Sequence, residues 1–309
     1  MSKDVNKKFL EWGDLGMPSH NDCYNFYGKE WESWEELCAN FKWEIPEKMN
    51  AAYFVCDRHA EDKSKVAIFY EDYTGRKAKI PFWELKNITN QLANYLKSQG
   101  LERGDRVAIC LPQIPETVIS HIAAWKLGAV SMPLTVLFGP DALINRLQNS
   151  GARIAIVASA IIEKLRSIKG ELENLKHIVV VGDAELGKDE TEFWDAIHKS
   201  SRNFDLVELR SDDNMVIIYT GGTTGDPKGV VHRHSFILHV PAHYAILGNA
   251  EIEPGDVFWN PADYAWGGPL FDLAFPALFY GRPILTYDGG KKFDADKAFK
   301  LIENYYLKN

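Results

Sequence analysis

Residues 219–234 read YTGGTTGDPKGVVHRH, directly after the apolar run Met215 to Ile218. Four glycines, three threonines and one lysine share these sixteen positions. Together they offer many hydrogen-bond donors and a positive charge. Gly221, Gly222 and Gly225 let the backbone curl so that its N–H groups approach a ligand. Thr220, Thr223 and Thr224 add hydroxyls, and Lys228 adds an ammonium held between Pro227 and Gly229. A strand that ends in such a turn and enters a helix aims its amides at one point, which suits an anion. The expected element is therefore a strand, a phosphate-holding turn and a helix from about Ser235. Each charge-assisted hydrogen bond contributes roughly 1.5–3 kcal/mol. The formal net charge of −8 does not oppose this, because distant carboxylates are screened beyond roughly 8 Å.

Two common nucleotide loops do not fit. A P-loop requires a glycine followed by lysine and serine or threonine, but Gly225 is followed by Asp226 and Lys228 lies between proline and glycine. The spacing of the dinucleotide fingerprint is absent too. His232 and Arg233 read as exposed charges that strengthen the local positive field. In ADYAWGG, Gly267 and Gly268 indicate that something approaches the backbone closely.

The elements that must carry these residues are written in alternation. KVAIFY, DRVAICL, AVSMPL, RIAIVAS, HIVVVG, MVIIYT, DVFWNPA and PILTYD read as strands. Between them, segments such as FWELKNITNQLANYLKSQG, PETVISHIAAWKLG, DALINRLQNSG, IIEKLRSIKGEL and PLFDLAFPALFYG carry helical spacing. Pro115 opens and Gly128 closes the second of these helices. Strands alternating with helices indicate α/β architecture, two doubly wound and mainly parallel sheets packed with helices. The polar stretch from 200 to 214 reads as a seam. The expected division is an aromatic-rich arm over 1–60, a first α/β unit over 61–205 and a second over 206–309. The arm holds Trp12, Trp31, Trp34 and Trp43 and reads as short helices laid over the body. DADKAFKLIENYY is a helix that should feed another strand, so the ending at YYLKN reads as premature.

At 309 residues, 46% hydrophobic and 25% charged, the composition is that of a globular protein with a sizeable core. The acidic balance argues against nucleic acid or an anionic membrane as the main partner. Cys23, Cys38, Cys56 and Cys110 show no metal-ligand spacing and read as reduced thiols. The longest apolar stretch is interrupted by Asp272, Pro276 and Arg282, so no membrane span is expected. The start lacks the apolar core of an export signal, which makes a cytoplasmic location the expectation.

YTGGTTGDPKGVVHRH resembles the signature phosphate loop of the adenylate-forming superfamily, which includes acyl-CoA synthetases, luciferases and peptide-synthetase adenylation domains. KIPFWELKNITNQLANYLKSQGLERGDRVAICLPQ and AWKLGAVSMPL resemble that family's upstream segments, in order and spacing. NPADYAWGGPLFDLAFPALFYG resembles the acyl-pocket segment of its acyl- and acetyl-CoA synthetases. The resemblance runs from about residue 50 to the end, with Gly222 standing where relatives often carry serine. It implies that ATP and a small carboxylic acid form an acyl-adenylate and pyrophosphate, and that coenzyme A then displaces AMP. It also implies that Thr220 to Lys228 hold the β- and γ-phosphates, and that His234 lies on the first turn of the next helix beside the acyl-adenylate. Asp263, Trp266 and Gly267 would flank the acyl pocket, with Trp266 limiting it to short or medium acids. The family's adenine-stacking and magnesium-linked segment, ribose aspartate, hinge and adenylation lysine have no counterpart here, so Mg2+ ligands are expected outside this chain.

Three readings follow. The chain is the N-terminal part of an AMP-forming acyl-CoA ligase, inactive alone; or it is a non-catalytic nucleotide-binding module that self-associates or pairs with a separate C-terminal part. As a third reading, it belongs to an enzyme that loads a carrier protein.

Overall fold

A computed structural model of the chain describes residues 32–40, 45–221, 226–239, 255–290 and 293–308. Its strands form two sheets. The first contains β3 (Arg106–Cys110), β4 (Val130–Pro133), β5 (Ile154–Ala158), β6 (His177–Val181), β7 (Glu190–Glu192), β8 (Asn214–Thr220) and β9 (Lys228–Arg233). They are ordered β7-β6-β5-β3-β4-β8-β9, and every pairing is parallel except β8 with β9. The second contains β1 (Val66–Asp72), β2 (Lys77–Pro81), β10 (Val257–Phe258), β11 (Ile284–Asp288) and β12 (Leu307–Lys308). Here the order is β12-β10-β11-β1-β2, parallel apart from the β1–β2 hairpin.

The runs IAIVA and HIVVV are apolar without alternation because both faces of their sheet are covered, the usual pattern of parallel strands. Helices α3 (Phe82–Ser98) and α4 (Pro115–Leu127), with the segment 268–279, fill the layer between the sheets. Their side chains share one core with Ile68 and Ile284 of the second sheet and with Val107 and Ile109 of the first. The outer face of the first sheet is packed by α5 (Pro140–Ser150) and α6 (Ile162–Ile168) through Leu143, Leu147, Ile162 and Leu165. The helix Ala295–Tyr305 packs Ala298 and Leu301 on the outer face of the second sheet.

α4 is buried on all sides because it lies inside this sandwich. From Thr117 to Leu127 each of its residues is buried. Pro115 stands at its first turn and Gly128 closes it with φ +73°, the left-handed cap for which glycine is suited. A Cβ on Gly128 would stand 2.7 Å from Leu209 Cδ2.

Three expectations change. First, the sheets do not follow a division at 205/206. β8 and β9 complete the first sheet, while β1 and β2, from residues 66–81, join the strands of 257–308. Second, a strand intervenes between the phosphate turn and its helix: β8 returns antiparallel as β9, so the loop is the tip of a β-hairpin, and the helical residues expected from about Ser235 begin at Phe236. Third, the N-terminal arm is not a simple overlay. The short α-helix α1 (Trp34–Asn40) buries nothing, yet α2 (Ala51–Val55) is wholly inside the main core apart from Tyr53. Asn50 fixes α2 by accepting from the Ala52 amide and donating to the carbonyls of Trp125 (2.9 Å) and Val207 (3.2 Å). Trp34 is 70% exposed; Trp12, Trp31 and Trp43 lie outside the described residues. After the last helix, Leu307–Lys308 pair in parallel with β10, the strand that the alternation called for. No helix of the described residues is long and apolar enough to cross a membrane.

Candidate active site

β4 follows β3 through α4 on the inner face, while β5 returns to the other side of β3 through α5 on the outer face. Helices that leave neighbouring strand ends on opposite faces open a crevice at the carboxyl edge, where α/β proteins hold ligands. β8 is the next strand beyond β4, and its carboxyl end leads into the glycine-rich tip. The candidate site is therefore placed by topology as well as by motif.

The hairpin is anchored firmly. Its register sets Tyr219 opposite Gly229 and Thr220 opposite Lys228. The Tyr219 hydroxyl donates to Asn149 Oδ1 at 2.6 Å, which fastens the hairpin to α5. The Arg146 guanidinium lies 4.1 Å from the Phe138 ring centroid and 5.6 Å from that of Tyr219, within range of a cation–π attraction. A Cβ on Gly229 would stand 2.8 Å from Ile217 Cγ2 and 3.3 Å from the Tyr219 ring, so the return strand crosses its partner there only as glycine. Thr220, Gly221 and Lys228 are exposed at the tip. Gly222, Thr223, Thr224 and Gly225 lie outside the described residues.

The acyl-pocket segment is brought to the same edge. Asp263 Oδ2 accepts from the Thr135 hydroxyl at 2.6 Å, and Oδ1 accepts from the Ala265 amide at 2.9 Å. The Trp266 amide then donates to the Asp263 carbonyl at 3.1 Å. Asp263 thus ties a tight turn to the loop after β4 and sets the position of Trp266. Trp266 is 63% exposed, so it is not ordinary core, whereas Tyr264 beside it is buried. A Cβ on Gly267 would reach within 3.4 Å of Ile218 Cδ1 on β8, which places this turn against the hairpin two residues from Thr220. Behind it the chain enters the π-helical segment Gly268–Ala274 and then the α-helix Phe275–Phe279.

His234 does not face this edge. The sequence expectation sets it on the first turn of a helix beside the acyl-adenylate; the structure instead has it in the turn directly after β9, with 0% exposure. Its Nδ1 accepts from the Ala51 amide at 3.1 Å, and burial pushes its pKa down to about 3. The neutral, enclosed imidazole binds the start of α2 at the Asn214 end of β8, opposite to the Thr220 end, and its Nε2 is buried without a hydrogen-bond partner among the described residues. The thiol of Cys110 is no nucleophile: it donates to the Thr135 carbonyl at 3.3 Å, and burial raises it to about 12. Cys38, Cys56 and Cys110 are all unpaired thiols.

Two polar residues at the site are not apparent from the motifs. Thr135 holds Asp263, and Gln113, in the loop after β3, bonds to the segment leading into Asp263. Each is a polar residue set in an apolar stretch, LPQIP and MPLTVL; Gln113 also ends the upstream segment that resembles the family, and Thr135 directly follows the other, yet neither segment gives them a role. Among the described residues no group of three or more His, Cys, Asp or Glu is arranged to hold a metal ion.

The parallel sheets, the hairpin and the turn that ends in Trp266 define an α/β protein with a crevice at the carboxyl edge of its larger sheet. The sequence model of the AMP-binding enzymes matches residues 56–307, and the chain belongs to that family. It is 31% identical over 296 residues to the acetyl-coenzyme A synthetase of Bacillus subtilis (strain 168), an alignment covering 94% of this chain and 50% of that protein. It is 29% identical to the 3-hydroxypropionyl-coenzyme A synthetase of Sulfurisphaera tokodaii, covering 98% of this chain and 49% of that one. Among solved structures, the Brucella canis acyl-CoA synthetase superposes with a TM-score of 0.79 at 25% identity, covering 90% of this chain and 51% of that chain. The chain thus spans about half the length of the relatives it matches.

Proposed function

We propose that this chain supplies the phosphate loop and the acid pocket of an AMP-forming acyl-CoA ligase acting on short or medium carboxylic acids. One observation carries the reading: an exposed, donor-rich hairpin tip bearing Thr220 and Lys228 lies against the Asp263–Gly268 turn, through Ile218 and Gly267. One ligand can then present its phosphates to the tip while its acyl end lies near Trp266. A carboxylate oxygen attacks the α-phosphorus of ATP, the bond to the bridging oxygen breaks, and pyrophosphate leaves. The sulfur of coenzyme A next attacks the acyl carbon and AMP departs with the electron pair. Carboxylate and triphosphate are both anions, so charge neutralisation and alignment are the main demands on the protein. Lys228, the threonine hydroxyls and the amides of the tip meet the first demand at the leaving pyrophosphate. Trp266 closes the acid pocket at modest depth. The names of the acetyl- and 3-hydroxypropionyl-coenzyme A synthetases among its relatives support a short acid, and coenzyme A over a carrier protein as acceptor.

Calorimetric titration of the chain with ATP tests the assignment. Binding is expected, and Lys228→Ala is expected to weaken it roughly ten-fold or more, the loss of one charge-assisted contact. Equal affinity in the two proteins would remove the loop from the phosphate site.

A further inference from the structure

We propose that Gln113 is a positioning residue that sets the acid pocket by holding the backbone leading into Asp263 and Trp266. The inference rests on the function proposed above. Gln113 lies in the loop after β3 and is 8% exposed. Its Nε2 donates to the carbonyls of Asn260 (2.8 Å) and Ala262 (3.0 Å). Its Oε1 accepts from the Trp259 indole N–H (2.9 Å) and from the Tyr287 amide (3.0 Å). A primary amide has two donor hydrogens and two acceptor lone pairs, and all four are used. The orientation is fixed as well, since the nitrogen faces two carbonyls and the oxygen faces two N–H groups.

The four partners belong to the second sheet and its approach, whereas Gln113 leaves the first. Trp259 follows β10, Tyr287 is on β11, and Asn260 and Ala262 open the turn whose next residue is Asp263. Asp263 is in turn held by Thr135, at the end of β4 in the first sheet. Two side chains from the carboxyl edge of one sheet thus hold the segment that carries Trp266, one before the turn and one within it. The hairpin tip is fastened separately, by Tyr219 to Asn149. The acid side and the phosphate side therefore have separate polar anchors, meeting only in the apolar contact of Gly267 with Ile218, and loss of Gln113 should fall mainly on the first.

Gln113→Glu keeps the shape and both acceptor functions but turns a carboxylate oxygen toward the carbonyls of Asn260 and Ala262. The probe is butyryl-sulfamoyladenosine, a non-reactive acyl-adenylate, compared with its acetyl and octanoyl analogues and with ATP. The variant is expected to bind the butyryl probe about ten-fold more weakly, as two partly buried carbonyls lose their donors and face a carboxylate oxygen instead, and to flatten the preference among the three acyl lengths. Its ATP affinity is expected to stay within about two-fold, because the hairpin anchor is untouched. Gln113→Met, of similar length and without polar atoms, is the second variant if the glutamate does not fold, and the same split is expected. Unchanged probe affinity and acyl preference, or a parallel loss of ATP affinity, would overturn the inference while leaving the ligase reading in place. Failure of the unaltered chain to bind any acyl-adenylate probe would overturn that reading, and this inference with it.

Discussion

Gly229 shows how much one side chain decides at the hairpin. It stands opposite Tyr219, next to Lys228, and an added Cβ would meet Ile217 Cγ2 at 2.8 Å. Both neighbours are held within the sheet, so they have little room to yield. Gly229→Ala is expected to cost about 1–3 kcal/mol, the range of overpacked interiors, and to weaken ATP binding by displacing Lys228. Gly221→Ala is the contrast, since a Cβ there meets nothing within 4 Å; its stability should stay within about 0.5 kcal/mol of the parent. Urea unfolding midpoints of the two variants separate these outcomes, and equal midpoints would mean that the crossing at Gly229 is looser than described. The donors of the tip were legible in the sequence because they are local, packed into one stretch of sixteen residues. Asp263 was legible in the same way, but the bonds that position the acid pocket were not. Thr135 and Asp263 are 128 positions apart, and Gln113 reaches Tyr287 across 174, so no window of sequence contains either bond.

At the scale of elements, the central layer contains a buried ion pair. Lys126, at the end of α4, is wholly enclosed; its ammonium donates to Asp57 Oδ1 and Asn90 Oδ1, each at 2.6 Å. Asp57 opens the 3-10 turn after α2, and Asn90 lies in the middle of α3. The pair joins three elements, two of them in the layer between the sheets. Asp57→Asn would leave a buried ammonium with neutral acceptors only, so a loss of about 3–5 kcal/mol is expected in chemical denaturation. Adding Lys126→Met to that variant should restore most of it, because removing the charge removes the uncompensated cost; no recovery would assign the loss to packing. The helices themselves were plain in the sequence, since α4 is opened by Pro115 and ends in Gly128. β9 was not, because Val230 and Val231 form an exposed doublet with no alternation to mark a strand. β2 was hidden for a related reason: only Ile80 of KAKIP is buried. Both strands are defined by the partner they pair with rather than by their own composition.

For the molecule as a whole, stability rests on the layer that joins the two sheets, and two neutral histidines lie in it. His121 packs against Trp125 and Phe275 with Nδ1 2.8 Å from Ser131 Oγ, and His234 binds the Ala51 amide. Burial pushes both pKa values down to about 3. An unfolded histidine titrates near 6.5, so between about pH 6.5 and 3 the unfolded chain binds protons that the folded chain refuses. Stability is then fully present above about pH 6.5 and falls as the pH drops, by about 1.4 kcal/mol per histidine at pH 5.5. His177, His232 and His239 are lowered by burial as well and act in the same direction. Unfolding free energies measured at pH 7.5 and 5.5 should therefore drop in the parent chain, and His121→Leu should remove about 1.4 kcal/mol of that drop, one histidine's share. A drop of the same size in the variant would mean that His121 takes up its proton without opening the core. The layer between the sheets would then be more accessible to water than its packing implies, and the separate anchoring of acid and phosphate sides would lose its rigid support.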